Sequence, residues 1–357
     1  MQATQSLTPE QLFEFLLNVA PVRPVFIWGP PGIGKSSLVE LFAAEVGLDC
    51  VSLLGSQLAP EDIIGVPQIV DGKSRFCPPT LIARDEPFCL FLDELNACSQ
   101  EVQKAFYSLI NDRRIGEFVL PEGSIVVGAG NRAQDAAIVK PLSSALINRM
   151  VHVSLRANHR NWLQWANNNA LHILVVKYIQ LRPDHLWSKP PKHEEPFSTP
   201  RSWHMLSDSL TAYTPETLTV ETVSYLASGL LTPSHARQFV GFYKQQQYGL
   251  GIEDIVHGDK HWPDKPEERD ILYFMVQSFR VYLIKNLSPN SNSQSQSDLV
   301  EKAKRLITQL AHISLEMAQL VLVEEESDDE HVTPQTLPGW FTAEIVRNAP
   351  RLVERKP

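Results

Sequence analysis

The run Pro24-Val25-Phe26-Ile27-Trp28 leads directly into Gly29-Pro30-Pro31-Gly32-Ile33-Gly34-Lys35-Ser36, and Ser37 to Ala44 then read as a helix. A strand, a glycine-rich turn and a helix in that order form one device. The backbone N–H groups of the turn point inward, at the positive end of the helix, and cradle phosphate oxygens. Gly32 and Gly34 permit backbone angles that a Cβ would forbid. In such a turn Lys35 reaches the β- and γ-phosphates of a nucleoside triphosphate, and the Ser36 hydroxyl ligates Mg²⁺. Gly29, Pro30, Pro31, Gly32, Ile33, Gly34, Lys35, Ser36 and Ser37 are therefore the predicted nucleotide-binding residues.

Four further apolar runs, Cys50–Leu54, Phe88–Asp93, Ser124–Gly130 and Val151–Leu155, alternate with helical or loop sequence. This alternation predicts an α/β domain over residues 1–155, with a largely parallel sheet covered on both faces. Ahead of the first strand, Thr8, Pro9 and Gln11 have the spacing of an N-cap, a first helical residue and a capping box. Asp71-Gly72, flanked by β-like segments, predicts a hairpin that either contacts a partner, lines a pore or simply connects.

From residue 156 the texture turns helical and tryptophan-marked, which predicts an all-helical domain over 156–287. Residues 288–297 read as a polar, low-complexity linker. The final segment, 298–357, opens with one long amphipathic helix over about 298–323 and continues into the acidic run Glu324–Glu330, a solvated stretch.

The third strand ends in Asp93-Glu94. Paired carboxylates there divide the labour of an in-line displacement: Asp93 holds the metal shell with Ser36, and Glu94 stays free to orient and polarise the attacking water. The fourth strand ends in Gly130-Asn131-Arg132. An amide at that position can hydrogen-bond both the γ-phosphate and the water, so Asn131 is the expected water-positioning residue.

Taken together, GPPGIGKS, CLFLDEL, VVGAGN and Leu142–Met150 resemble the phosphate loop, metal-binding segment, first sensor and arginine-finger helix of AAA+ ATPases. Within that superfamily Asp93-Glu94-Leu95-Asn96, Leu58–Gly65 and Leu120–Ser124 are most similar to the MoxR family, and Phe197–Trp203 looks like its second-sensor segment. The resemblance implies a P-loop core with a parallel five-stranded sheet of order 5-1-4-3-2, an all-helical lid, ATP and Mg²⁺ as ligands, and a homo-oligomeric ring, commonly a hexamer. It also implies that Arg149 acts in trans on a neighbour's γ-phosphate and Arg201 in cis from the lid. Arg113, Arg114 and Arg132 are further candidates for contacts between subunits. The implied work is chaperone-like remodelling of a partner, a von Willebrand factor A (VWA) domain protein. A nucleic-acid-directed motor of restriction or defence type, using ATP or GTP, is the alternative. Two features depart from the pattern: Ala97 replaces a frequent arginine, and the compact segment 111–120 leaves little room for a long hairpin.

The 357-residue chain carries a formal net charge of -9, which gives no electrostatic footprint for general nucleic-acid binding. No apolar run is long enough for a membrane span, the N-terminus lacks the pattern of a signal peptide, and the four cysteines have no zinc spacing; a cytoplasmic protein with reduced thiols is expected.

Overall fold

Alternation inside the strands decides the architecture. In the computed structural model, which describes residues 6–132, 142–191, 193–288, 294–322 and 336–348, successive strand residues are buried on opposite faces of one sheet. Phe26, Leu90, Leu92 and Val126 enter one core, with Val102, Phe106 and Leu109. Val25, Ile27, Cys89, Phe91, Val127 and Ala129 enter the other, with Leu12, Leu16, Val39 and Phe42. Strands buried on both faces need helices on both sides, which parallel connections supply.

The chain divides into two compact units, Met1–Trp165 with Thr199–Arg201, and Ala166–Ser198 with Ser202–Pro357. The first unit runs β1 (Ser6–Leu7), α1 (Pro9–Val19), β2 (Val25–Trp28), α2 (Lys35–Glu45), β3 (Asp49–Leu54), α3 (Glu61–Ile64), β4 (Val66–Val70), β5 (Lys73–Cys77), β6 (Phe88–Asp93), α4 (Gln100–Asp112), β7 (Arg114–Ile115), β8 (Phe118–Val119), β9 (Ile125–Gly130), α5 (Ser144–Ile147) and β10 (Val151–Leu155). Helix α6 (His159–Asn168) crosses from the first unit into the second.

The main sheet has the order β1-β10-β2-β9-β6-β3, all parallel. Its last five members follow the expected 5-1-4-3-2. The sixth strand goes beyond the expected five: Ser6 and Leu7 pair with Ser154 and Leu155, so the segment ahead of the Thr8 cap extends the sheet. Two residues are too short for a periodicity signal. The capping box forms as spaced, with the Thr8 N–H donating to Gln11 Oε1 at 3.0 Å and the Gln11 N–H to the Thr8 hydroxyl at 3.3 Å.

Strands β4 and β5 form the Asp71-Gly72 hairpin, with positive φ of 52° and 73° at its two turn residues. Its residues are exposed almost throughout. The segment 111–120 does hold a hairpin, a minimal one in which Arg114–Ile115 pairs with Phe118–Val119.

The second unit contains α7 (Ile173–Leu181), most of α8 (Pro200–Thr211), α9 (Val220–Leu230), α10 (Pro233–Tyr248), α11 (Ile252–His257), α12 (Arg269–Asn286), α13 (Gln294–Ile313), α14 (Leu315–Leu322) and α15 (Gly339–Asn348). Its described residues hold no strand. The expected single helix over 298–323 is two: α13 begins inside the segment read as linker, and the chain breaks at Ser314, whose hydroxyl accepts from the Met317 N–H to start α14. Residues 289–293 and the acidic run 324–330 lie outside the described residues. No described helix is long and apolar enough to cross a membrane.

An aromatic core of Tyr178, Trp203, Phe239, Phe242 and Phe274 surrounds a polar cluster in this unit. Buried Arg182 pairs with Asp184 at 2.8 Å and donates to Gln238. The Tyr178 hydroxyl meets His185 Nδ1 at 2.8 Å, and His235 stacks on His185 with centroids 3.8 Å apart. His235 Nδ1 in turn lies 2.8 Å from the Ser198 hydroxyl. Burial pushes His235 down to about 4, and burial with the Arg182 charge holds His185 well below the ordinary imidazole value.

Candidate functional site

The phosphate loop joins β2 to α2. Gly34, at φ 102°, is the residue before the first helical turn, and Gly32 has φ 74°. Gly32 needs its missing Cβ for a second reason, since one built there would stand 2.7 Å from Thr199 Oγ1. The Arg201 N–H donates to the Gly32 carbonyl at 3.1 Å, so residues 199–201 close over this turn as part of the first unit. Gly29, at the end of β2, is tied to the neighbouring strand through its N–H and the Gly130 carbonyl, 3.2 Å apart. Ile33 is anchored in the core, Pro30 and Pro31 are half-buried, and Ser37 is exposed.

Lys35 is only 8% exposed. Its ammonium donates to the Gly29 carbonyl at 2.7 Å, the Pro30 carbonyl at 3.1 Å and Asn131 Oδ1 at 2.9 Å. A buried cation needs such oxygens, and these three fold the side chain back over its own loop. The Ser36 hydroxyl donates to Asp93 Oδ2 at 2.7 Å, while Asp93 Oδ1 accepts from the Glu94 N–H at 2.9 Å. Lys35, Ser36, Asp93 and Asn131 are thus brought together by three adjacent parallel strands, β2, β9 and β6.

Glu94 has φ 52°, a left-handed conformation that a non-glycine residue adopts only when its surroundings impose it. The Leu95 N–H bonded to the Ala129 carbonyl at 3.0 Å carries the chain on beside β9. The Glu94 carboxylate accepts from the Ser56 hydroxyl. Buried Asn96 donates to the Asn131 carbonyl at 2.6 Å and fixes the residue that faces Lys35. The approach is so close that a Cβ on Gly130 would lie 2.2 Å from Asn96 Oδ1.

Ser56 has no place in the sequence reading, and Asn96 and Thr199 enter it only as members of family-like stretches, with no site role. Register could have located Ser56: Leu54 is paired with Asp93, so the turn after β3 ends beside the residue after β6.

The arginines are held differently. Arg149 Nε donates to Asn111 Oδ1 at 2.6 Å, its Nη1 to the Ala145 carbonyl at 2.9 Å, and its guanidinium lies 4.3 Å from the Tyr107 ring centre. These partners come from α4 and α5. Arg201 is exposed, and its contact with the phosphate loop is through the backbone. Arg113 donates to the carbonyls of Ser124 and Pro121, and Arg132 to the hydroxyl of Ser154 on β10, so both bond within their own unit; Arg114 is exposed.

Residues 24–150 match the AAA domain of the dynein-related subfamily. This stretch is an AAA+ ATPase domain. The chain is 30% identical over 153 residues to midasin of Giardia intestinalis, covering 40% of this chain and 3% of midasin. It is 26% identical over 118 residues to the Holliday junction branch migration complex subunit RuvB of Synechococcus sp. (strain WH7803), covering 33% of this chain and 26% of that one. The chain therefore spans a small part of the curated relatives it matches. The solved Thermotoga maritima RuvB Holliday junction branch migration motor has 18% identity and a TM-score of 0.40, covering 70% of this chain and 74% of that one. The matched stretch of the AAA+ domain ends at Met150, so it takes in the phosphate loop, Asp93, Glu94, Asn131 and Arg149, while Thr199 to Arg201 lie beyond it.

Proposed function

We propose that this chain hydrolyses ATP in a ring of identical subunits, a hexamer in its working form, and uses the turnover to remodel or activate a partner protein in the cytoplasm. MoxR-type chemistry, with a VWA-domain protein as partner, is the reading favoured by the Asp93-Glu94-Leu95-Asn96 and Leu58–Gly65 stretches. The observation that carries hydrolysis is the convergence of Lys35, Ser36, Asp93 and Asn131 on one phosphate loop.

Each bond in that cluster has a counterpart in catalysis. The carbonyls that Lys35 now faces give way to β- and γ-phosphate oxygens, which are stronger acceptors because they are charged. Ser36 and Asp93 present hard oxygen ligands side by side, and these fit Mg²⁺, which supplies charge neutralisation on the phosphates. Asn131 uses Oδ1 on Lys35 and keeps its amide hydrogens for the γ-phosphate and the attacking water. Glu94, released from Ser56, takes the water's proton. Arg149 serves the neighbouring subunit's γ-phosphate, where negative charge grows in the transition state, and Arg201 acts in cis.

The test is Glu94→Gln. It retains ATP binding and assembly and lowers turnover by about a hundredfold or more, the usual contribution of a general base. Wild-type turnover in that variant would remove Glu94 from the mechanism. The alternative, a motor directed to nucleic acid, is favoured by the likeness to RuvB and opposed by the net charge of -9. Turnover with ATP and with GTP, each with and without duplex DNA, separates the two: strong stimulation by DNA would replace the remodelling assignment.

A further inference from the structure

Trp28 is the last residue of β2, directly before Gly29, and its indole N–H donates to His152 Nδ1 at 3.0 Å. The two rings lie edge to edge, 24° from coplanar with centroids 5.9 Å apart, and Phe26 packs against both, at 4.5 Å from Trp28 and 5.5 Å from His152. The other imidazole nitrogen, Nε2, lies 2.9 Å from the Ile147 carbonyl. Chemistry fixes the tautomer. An indole can only donate and a carbonyl can only accept, so Nδ1 carries the lone pair and Nε2 the proton. A neutral imidazole in this one tautomer satisfies both partners.

What the imidazole joins matters more than how. Ile147 ends α5, the helix whose Ala145 carbonyl holds the Arg149 guanidinium, and the Arg149 N–H donates to Leu146 of the same turn. One side chain on β10 therefore connects the residue that enters the phosphate loop to the turn that presents Arg149. Catalysis within a single site does not require this link.

We propose that His152 is a positioning residue that, through Trp28, sets the Arg149 turn according to the state of the same subunit's phosphate loop, so that a subunit's own nucleotide governs the arginine it offers to its neighbour. This rests on the assignment of Arg149 in trans given above. A triphosphate that shifts the loop entry moves the indole, the imidazole follows along its hydrogen bond, and the Ile147 carbonyl end of α5 follows the imidazole. The Phe26 packing and the two bonds together hold the imidazole between Trp28 and Ile147 in one orientation.

The experiment is a double-mutant cycle in the full chain. Trp28→Phe keeps an aromatic ring beside His152 but removes the N–H donor, and His152→Asn, whose amide oxygen can still accept from Trp28 but which has no group at the Nε2 position, breaks the relay at its other end, the bond to the Ile147 carbonyl. Each is measured for ATP affinity and for turnover, alone and with Arg149→Ala. Both single variants should keep the wild-type dissociation constant for ATP and lose about fivefold in kcat, what one ordinary hydrogen bond supplies. In the Arg149→Ala background neither should lower kcat further. The same fivefold loss in both backgrounds, unchanged kcat, or a loss confined to ATP affinity would each overturn the proposal. Full turnover in Arg149→Ala alone would instead overturn the trans assignment; loss of turnover there with additive Trp28 and His152 effects would overturn only the relay.

Discussion

The polar cluster at the phosphate loop and the one around Arg182 in the helical unit use the same materials, a basic side chain, a carboxylate and hydrogen-bonding side chains, and differ in what they bond to. Lys35 spends its donors on two backbone carbonyls of its own loop and on Asn131, and Ser36, Asp93 and Asn131 are only half-buried. A triphosphate can take the place of the two carbonyls. Around Arg182 the imidazoles are closed in: His185 lies between Tyr178, Asp184 and His235, and His235 bonds onward to Ser198. A cluster with exchangeable partners is built to receive something, and one whose partners, the exposed Asp184 apart, are buried or half-buried side chains of its own unit is built to hold that unit in one arrangement. The difference lies in exposure and in the kind of partner.

The sharpest way to break this contrast is to delete the central cation of each cluster. Lys35→Ala should abolish measurable ATP binding, a loss of about a hundredfold or more for a buried charge-assisted contact to phosphate, and leave thermal stability close to wild type. If nucleotide affinity survives, as read by a fluorescent ATP analogue, the first cluster is structural after all. Arg182→Ala should do the converse. It strands Gln238 and leaves a cavity, costing about 3 kcal/mol in urea denaturation, with turnover per folded molecule unchanged.

A gentler probe is acid. His235 titrates at about 4 in the folded chain, against an ordinary 6.5. Between those values the unfolded chain binds a proton that the folded chain refuses, so stability falls as pH drops from 6.5 towards 4, by up to about 3 kcal/mol over that window. His185, shifted in the same direction, adds to the slope. His235→Gln should flatten the dependence in urea titrations at pH 7 and pH 4.5, and an unchanged slope would place the acid sensitivity elsewhere.

Much of the first unit was legible because its signals are local. The phosphate loop, the alternating strand residues, the Thr8 capping box and the Asp71-Gly72 turn each announce themselves within a few positions. Asp93, Glu94 and Asn131 were readable because strand ends can be located in sequence and a parallel sheet aligns them. The two-residue edge strand was hidden, since pairing with Ser154 and Leu155 is a tertiary event without a local pattern. The break at Ser314 was missed because the residues on either side keep one helical periodicity, and only a hydroxyl cap interrupts it. The contacts of Ser56, Asn96 and Thr199 were hidden for a common reason. Small polar residues in loops are frequent, and their contacts with Glu94, Asn131 and Gly32 depend on segments far apart in the chain.

The pairing of β3 with β6 has a consequence for how this domain can vary. Val51 and Leu53 face the core while Ser52 is exposed, and Leu54 stands opposite Asp93. Adding or deleting one residue in β3 would turn its apolar side chains outward and, in the same stroke, bring Gly55 or Gln57 to the place where Ser56 meets Glu94. Errors in this strand's length are therefore rejected by the core before the chemistry can be miswired, and oil-and-water sorting acts as the proofreader of the polar contact at the strand's end.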